Sequence, residues 1–150
     1  MASLESLYQG MNIFLADQFV MAMKIHNVHW NLKGNNFFTL HPLMDGYYDE
    51  HLGRIDAVAE RLIAIGGQPI GSAKAALDIT SIKEREDTEV DAETLVNELI
   101  VDFTKMREQA NRLIEIADSV QDYGTADYFT AEIQVYDKEL WMLNSYLKKM

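Results

Sequence analysis

All four histidines, His26, His29, His41 and His51, fall within one 26-residue window, which runs on into Asp45, Asp49, Asp56 and Glu60. Imidazole combined with carboxylate is a donor set for iron, manganese or zinc. The chain has no cysteine. Disulfides, thiolate zinc sites, iron–sulfur clusters and thiol-based peroxidase chemistry are thereby excluded.

Helical geometry sorts these residues. At about 100° and ~1.5 Å per residue, Asp45 and Asp49 share a face, as do Asp56 and Glu60. Asp45 and Asp56 are about three turns plus 20° apart, so both pairs lie on one stripe, separated by roughly 16 Å along the axis. No single metal bridges them on one helix. The stripe lies about 100° from the apolar one, Met44, Tyr48, Ile55, Ala59 and Leu62, so it need not face the core. Two copies of this helix packed antiparallel, centred near residue 50, would set Asp45 of one chain opposite Asp56 and Glu60 of the other. Gly53 on the same stripe permits close approach. An isologous dimer with two equivalent intersubunit metal sites follows. The metal site of an ordinary ferritin-like bundle needs two Glu-x-x-His motifs inside one chain, and this sequence has none.

The elements that must carry these residues are helical. The chain has 150 residues and 17.2 kDa, which suits one domain, 1–150, with a sizeable core. Apolar residues make up 48% and charged residues 25%, a globular composition. No β-type alternation bounded by turns is present. Leu7, Met11, Phe14, Met21, Ile25, Val28 and Leu32 mark a first helix, ended at Gly34-Asn35-Asn36 with Gly34 as C′. A second starts near Pro42 and runs to Ile65, stopped by Gly66-Gly67. Residues 66–90 form a long connection with a short helix at Ser72–Leu77. A third helix starts at about Asp91, a suitable N-cap, and carries Leu95, Leu99, Phe103, Met106, Ala110, Leu113, Ala117 and Val120. Asp122-Tyr123-Gly124 breaks it. A fourth carries Phe129, Ile133, Tyr136, Leu140, Leu143 and Leu147. The expected fold is all-α, a ferritin-like four-helix bundle with a long crossover between the second and third helices. The acidic run at 84–93 reads as a solvated loop and helix start.

The string His26-Asn27-Val28-His29-Trp30-Asn31-Leu32-Lys33-Gly34 is followed by Phe37-Phe38-Thr39-Leu40-His41, Met44-Asp45, Asp56-Ala57-Val58-Ala59-Glu60-Arg61-Leu62 and Ile65-Gly66-Gly67-Gln68-Pro69. The sequence resembles the Dps family, the mini-ferritins of starved bacteria, over almost its whole length. The resemblance implies that His29, His41 and Asp45 of one subunit meet Asp56 and Glu60 of its two-fold mate. It also implies iron, in two positions per site, and a hollow dodecamer. The implied chemistry is ferroxidase chemistry. Glu60 bridges two metal positions, His29 and Asp56 hold the first, and His41 and Asp45 hold the second. Two Fe2+ reduce one hydrogen peroxide, and Fe3+ mineralises inside. Oxygen could use the same ligands. Any peroxide chemistry then runs through iron, since cysteine is absent.

Other signals have plainer readings. His26 and His51 read as structural or interface residues, His51 near the two-fold centre, and His41 before Pro42 could cap its helix. Trp30 and Trp141 read as packing residues, with the family suggesting an electron donor or radical sink near the site. Met21, Met23, Met44, Met106 and Met142 read as core or interface filler. Asp118, Asp122 and Asp127 bracket the last turn, where the family has acidic iron-entry pores at three-fold axes.

The formal charge is −11, and a dodecamer multiplies it twelvefold. That favours cations and disfavours phosphate backbones and anionic membranes. No basic residue occurs in the first 23, and the only terminal basic pair is Lys148-Lys149, so DNA binding is not expected. The start of the chain has no basic leader and no run reaches the ~20 apolar residues of a membrane span, which reads as a cytoplasmic protein. The competing readings are a DNA-protecting shell protein, a non-catalytic helical shell module, and a larger-cage ferritin.

Overall fold

A computed structural model describes residues 2–148, and Lys149 of the terminal basic pair lies outside them. The helices are α1 (Leu4–Asn31), α2 (Phe37–Ala64), α3 (Ala73–Ile79), α4 (Ala92–Ser119) and α5 (Tyr123–Tyr146). The fold is all-α and ferritin-like, with four long helices and a crossover carrying the short α3. Among the described residues there is no strand, only an isolated bridge between Leu32 and Val90. No described helix is long and apolar enough to cross a membrane.

Side chains set most helix starts. Ser3, Ser72, Asp91 and Asp122 each cap a helix by accepting from the backbone N–H three residues on, which satisfies donors with no intrahelical partner. Asp91 is the expected cap, whereas Ser72, expected as the first residue of the short helix, caps it from outside, and α3 runs two residues beyond Leu77. Three boundaries differ from expectation. The second helix begins at Phe37, with Pro42 inside it. Pro42 has no N–H for the carbonyl of Phe38, but starting early seats Leu40 in the core beside half-buried Phe37. The α1 C-cap is Leu32, so Gly34, at φ 115°, sits one position beyond C′. In α5, Tyr123 and Gly124 form the first helical turn behind the Asp122 cap.

The α2 and α4 ends share one stop. Gly66 N–H bonds Ile63 O and Gly67 N–H bonds Leu62 O, the paired bonds of a Schellman motif with Gly66 at φ 96°. After α4, Gln121 N–H bonds Asp118 O and Asp122 N–H bonds Ala117 O. There the left-handed residue is Gln121, at φ 62°.

Tyr8 donates to Ile65 O at 2.7 Å and Asn12 to Gln68 O at 3.0 Å, so α1 and α2 run antiparallel. The α4–α5 pair packs against them through α1. Phe14, Phe103, Phe129, Tyr136, Leu7, Met11, Met21, Ile25, Met44 and Leu62 fill the centre. Burying each such side chain stabilises the fold by roughly 1.5–3 kcal/mol. Several side chains tie down the crossover, and two of them, Asp17 and Arg85, make multiple bonds to it or from it. Buried Asp17 accepts from Thr80 Oγ1, Ser81 N–H and Ser81 Oγ, each at 2.6 Å. Arg85 bridges Asn27 Oδ1, Thr88 O and Glu98 Oε2 at 2.9, 2.8 and 3.2 Å.

The inward face of α2 is Leu40, Met44, Tyr47, His51, Arg54, Val58 and Leu62. Tyr48, Ile55 and Ala59 of the expected stripe are only half-buried flanks. His51 is therefore fully buried in the bundle and does not stand at an outer two-fold centre.

Candidate metal centre

His29 lies two residues before the end of α1, where main-chain carbonyls lose their helical partners. His41 lies in the second turn of α2, not at its cap, and packs across the α1–α2 corner. Each imidazole bonds through Nδ1 to the other residue's carbonyl, His29 to His41 O at 2.7 Å and His41 to His29 O at 2.9 Å. The rings stack with centroids 3.6 Å apart and planes 13° from parallel. A carbonyl only accepts, so Nδ1 carries the proton in both rings and both Nε2 atoms keep a lone pair. This is how a second interaction fixes an imidazole for metal ligation.

Asp45 projects from the next turn of α2. Its Oδ1 is 3.3 Å from His29 Nε2 and 4.0 Å from His26 Nε2. When the His29 ring is neutral, with its proton on Nδ1, its Nε2 and the carboxylate are two acceptors facing one another. A proton or a metal cation relieves that contact. Imidazole with carboxylate suits Fe2+, and carboxylate oxygens suit Fe3+. His26 is stacked on Tyr48 at 3.4 Å and lies 5.0 Å from Trp30. Burial, with the neighbouring His29, holds its pKa below the ordinary value against the opposing pull of Asp45 and Asp49.

Asp56 and Glu60 are exposed on the outer face of α2, about three and four helical turns from Asp45. Among the described residues of one chain, no three His, Cys, Asp or Glu side chains gather into a metal shell. One chain sets His41 and Asp45 each beside His29 without closing a three-ligand shell, and it leaves Asp56 and Glu60 apart from them. Exposed Leu52 and Ile63 alternate with these acids on α2, and exposed Met23 and Trp30 lie on α1. A Cβ on Gly53 would meet nothing within 4 Å, so this chain's own packing does not require glycine there.

Arg61, next to Glu60, reaches the other end of the molecule. It donates to Thr125 Oγ1 at 3.0 Å and Asp122 Oδ1 at 3.2 Å. A Cβ on Gly124 would come within 2.7 Å of Arg61 Nη2. Asp122 is thus committed to capping α5 and holding Arg61. Those hydrogen bonds and that charge hold its carboxyl below its usual range despite desolvation, the largest single influence. Asp118 and Asp127 are exposed on either side of the turn.

The sequence reading missed a buried polar group on the inward face of α2. Arg54 lies among Glu50, Glu132 and Glu139 at 3.5–3.6 Å and 5.1 Å above the Tyr136 ring. Its only signal was a charge at helical spacing from core residues. The guanidinium lies at the centre of the bundle, so a metal centre there would compete with a fixed cation.

Residues 8–150 match the ferritin-like domain model of the Ferritin family. General stress protein 20U of Bacillus subtilis is 41% identical over 95% of this chain and 98% of its own length. The DNA protection during starvation protein of Brevibacillus brevis is 38% identical over 92% of each. The crystal structure of Dps from Staphylococcus aureus superposes with a TM-score of 0.93 at 35% identity, covering 98% of both chains. The fold and the matched domain define a ferritin-like protein. The chain belongs to the Dps family.

Proposed function

We propose that this protein is an iron-storage and detoxification mini-ferritin. It oxidises Fe2+, preferentially with hydrogen peroxide, at sites shared between two subunits of a hollow cytoplasmic dodecamer, and stores the Fe3+ mineral inside. The carrying observation is the half-site of His29, His41 and Asp45, whose facing acceptors call for a cation while Asp56 and Glu60 lie out of reach on the same outer face. An antiparallel two-fold mate supplies the missing carboxylates. Leu52, Ile63, Met23 and Trp30 supply apolar surface for that contact.

Iron is the substrate. The locked imidazoles of His29 and His41 present lone pairs to Fe2+, and Asp45, Asp56 and Glu60 supply negative charge that stabilises Fe3+. Pairing two Fe2+ with one peroxide delivers two electrons together and suppresses one-electron hydroxyl-radical production. Peroxide reduction consumes two protons and hydrolysis of the two Fe3+ to FeO(OH) releases six, a net release of four protons per peroxide. DNA protection, the role named for the Brevibacillus relative, follows from consuming Fe2+ and peroxide. A chain charge of −11 opposes direct phosphate contact.

The test is stopped-flow Fe2+ oxidation with peroxide and with oxygen at matched equivalents. The Glu60→Ala/His29→Ala variant loses fast peroxide-driven oxidation, and a wild-type rate in it refutes the assignment. Iron entry is assigned to Asp118 and Asp127, with Asp122 holding the turn between them. Asp118→Asn with Asp127→Asn slows uptake while leaving assembly mass unchanged, and unchanged uptake removes them from the path.

A further inference from the structure

Three imidazoles, not two, stand at the α1–α2 corner. His26 lies one turn before His29 on α1, so the two share a helix face, and their ring centroids are 5.6 Å apart. Asp45 and Tyr48 are likewise one turn apart on α2 and meet this face from the other side. Asp45 Oδ1 is 3.3 Å from His29 Nε2 and 4.0 Å from His26 Nε2. Tyr48 lies face to face with the His26 ring, at a centroid distance of 3.4 Å and 13° from parallel, and Trp30 flanks it at 5.0 Å and 40°. Stacking engages the faces of an imidazole, whereas its nitrogen lone pair lies in the ring plane. Tyr48 therefore fixes the plane of His26 without using Nε2, the atom directed at Asp45. The separation of 4.0 Å is too long for a hydrogen bond. It suits a shared cation. Imidazole nitrogen and carboxylate oxygen each about 2.0–2.2 Å from one Zn2+ stand roughly 3–4 Å from each other. The side chains of His26 and Asp45 are 21% and 58% exposed, so both are open to an incoming ion.

We propose that His26 is a further ligand of the intersubunit site, giving its Nε2 to the divalent cation that Asp45 holds. The inference rests on the proposed intersubunit site, because among the described residues of one chain no three such side chains close a shell. Donors from the two-fold mate complete it. The cation is of the first-row class that takes imidazole and carboxylate together, with Fe2+ as the substrate and Co2+ or Zn2+ as stand-ins that peroxide-free solution leaves divalent. His26 adds a neutral donor to a position otherwise served by carboxylate charge. It strengthens the hold on Fe2+ without adding the negative charge that favours Fe3+, so the oxidised ion is the less firmly kept of the two. Tyr48 and Trp30 act on this ligand as positioning residues, through the ring they stack against.

The test is a Co2+ titration of the metal-free assembly, followed by visible absorption and calorimetry. His26→Phe keeps a flat ring between Tyr48 and Trp30 and removes only the nitrogens, so it separates ligation from packing. It weakens Co2+ at one of the two positions by at least about tenfold and alters the visible spectrum of that position, as a nitrogen donor gives way to water, while assembly mass stays that of the wild type. His26→Gln, whose amide oxygen replaces the nitrogen, keeps part of the affinity but shifts the spectrum. Wild-type affinity and spectrum in His26→Phe overturn the proposal and leave the ring a packing residue. If His26→Phe does not assemble, His26→Gln decides, and a wild-type spectrum there overturns the proposal. A wild type that binds no Co2+ overturns the intersubunit site itself, and the role of His26 with it. A wild type that binds Co2+ beside an unaltered His26→Phe removes His26 alone.

Discussion

Arg54→Met tests the account of the bundle centre. The side chain keeps its length and apolar stem but loses the one cation among Glu50, Glu132 and Glu139. Two of those carboxylates are buried, at 7% and 6% exposure for Glu132 and Glu139. Removing one partner of a buried ion pair costs about 3–5 kcal/mol, because the partners left behind are desolvated and unpaired. For a chain of this length that lowers the melting midpoint by roughly 6–20 °C. The loss depends on pH in a definite direction. Above neutrality both buried carboxyls are pressed to ionise beside one another and the full penalty appears. In mild acid they take up protons and the penalty shrinks. Neutralising the site in Arg54→Met/Glu132→Gln/Glu139→Gln recovers most of the stability, since a matched neutral set does not carry the cost of an isolated charge. The assay is thermal denaturation at acidic and mildly alkaline pH, at one protein concentration because assembly shifts the midpoint. A loss below about 1 kcal/mol, or an equal loss at both pH values, refutes the reasoning.

The wild-type stability profile should have two limbs. Glu139, raised to about 8, contributes stability that is present below the ordinary carboxylate range and lost as pH rises through its folded value. His51 is held neutral, with burial first and Arg54 second lowering it to about 3. Its contribution is present above the ordinary histidine value and lost as pH falls through the folded one. Each limb has a slope of at most about 1.4 kcal/mol per pH unit, and denaturation of Glu139→Gln across the range flattens the alkaline one. Gln121, held at φ 62° at the end of α4, should be better served by glycine. Gln121→Gly gains roughly 1 kcal/mol from the relieved left-handed strain, read as a rise of about 2–4 °C in melting midpoint, and a fall there counts against the strain.

Much of the fold was legible because helical periodicity is a local property. Leu7 through Leu32 and Leu95 through Val120 mark the face that packs inward, and Asp91 caps where side-chain chemistry says it should. The start of α2 was not legible from the proline. Pro42 looks like a first-turn residue, but the apolar contacts of Leu40 and Phe37 outweigh one missing N–H. The register of the inward face of α2 was also hidden. His51 and Arg54 are polar by type, and only the carboxylates of α5 across the bundle make Arg54 tolerable inside.

For the candidate site, the sequence by itself determined the donor types, the single stripe of Asp45, Asp49, Asp56 and Glu60, and their separation along one helix. These follow from residue chemistry and the pitch of an α-helix. Tertiary structure decided how the donors are prepared. The α1–α2 corner brings each of His29 and His41 onto the other's carbonyl, and those two hydrogen bonds choose the tautomer that leaves Nε2 open toward Asp45. It likewise turned Arg61 from a neighbour of Glu60 into the clamp on the Asp122 turn. Spacing along a chain specifies a face, whereas a proton's position and a guanidinium's partners depend on which other helix stands opposite.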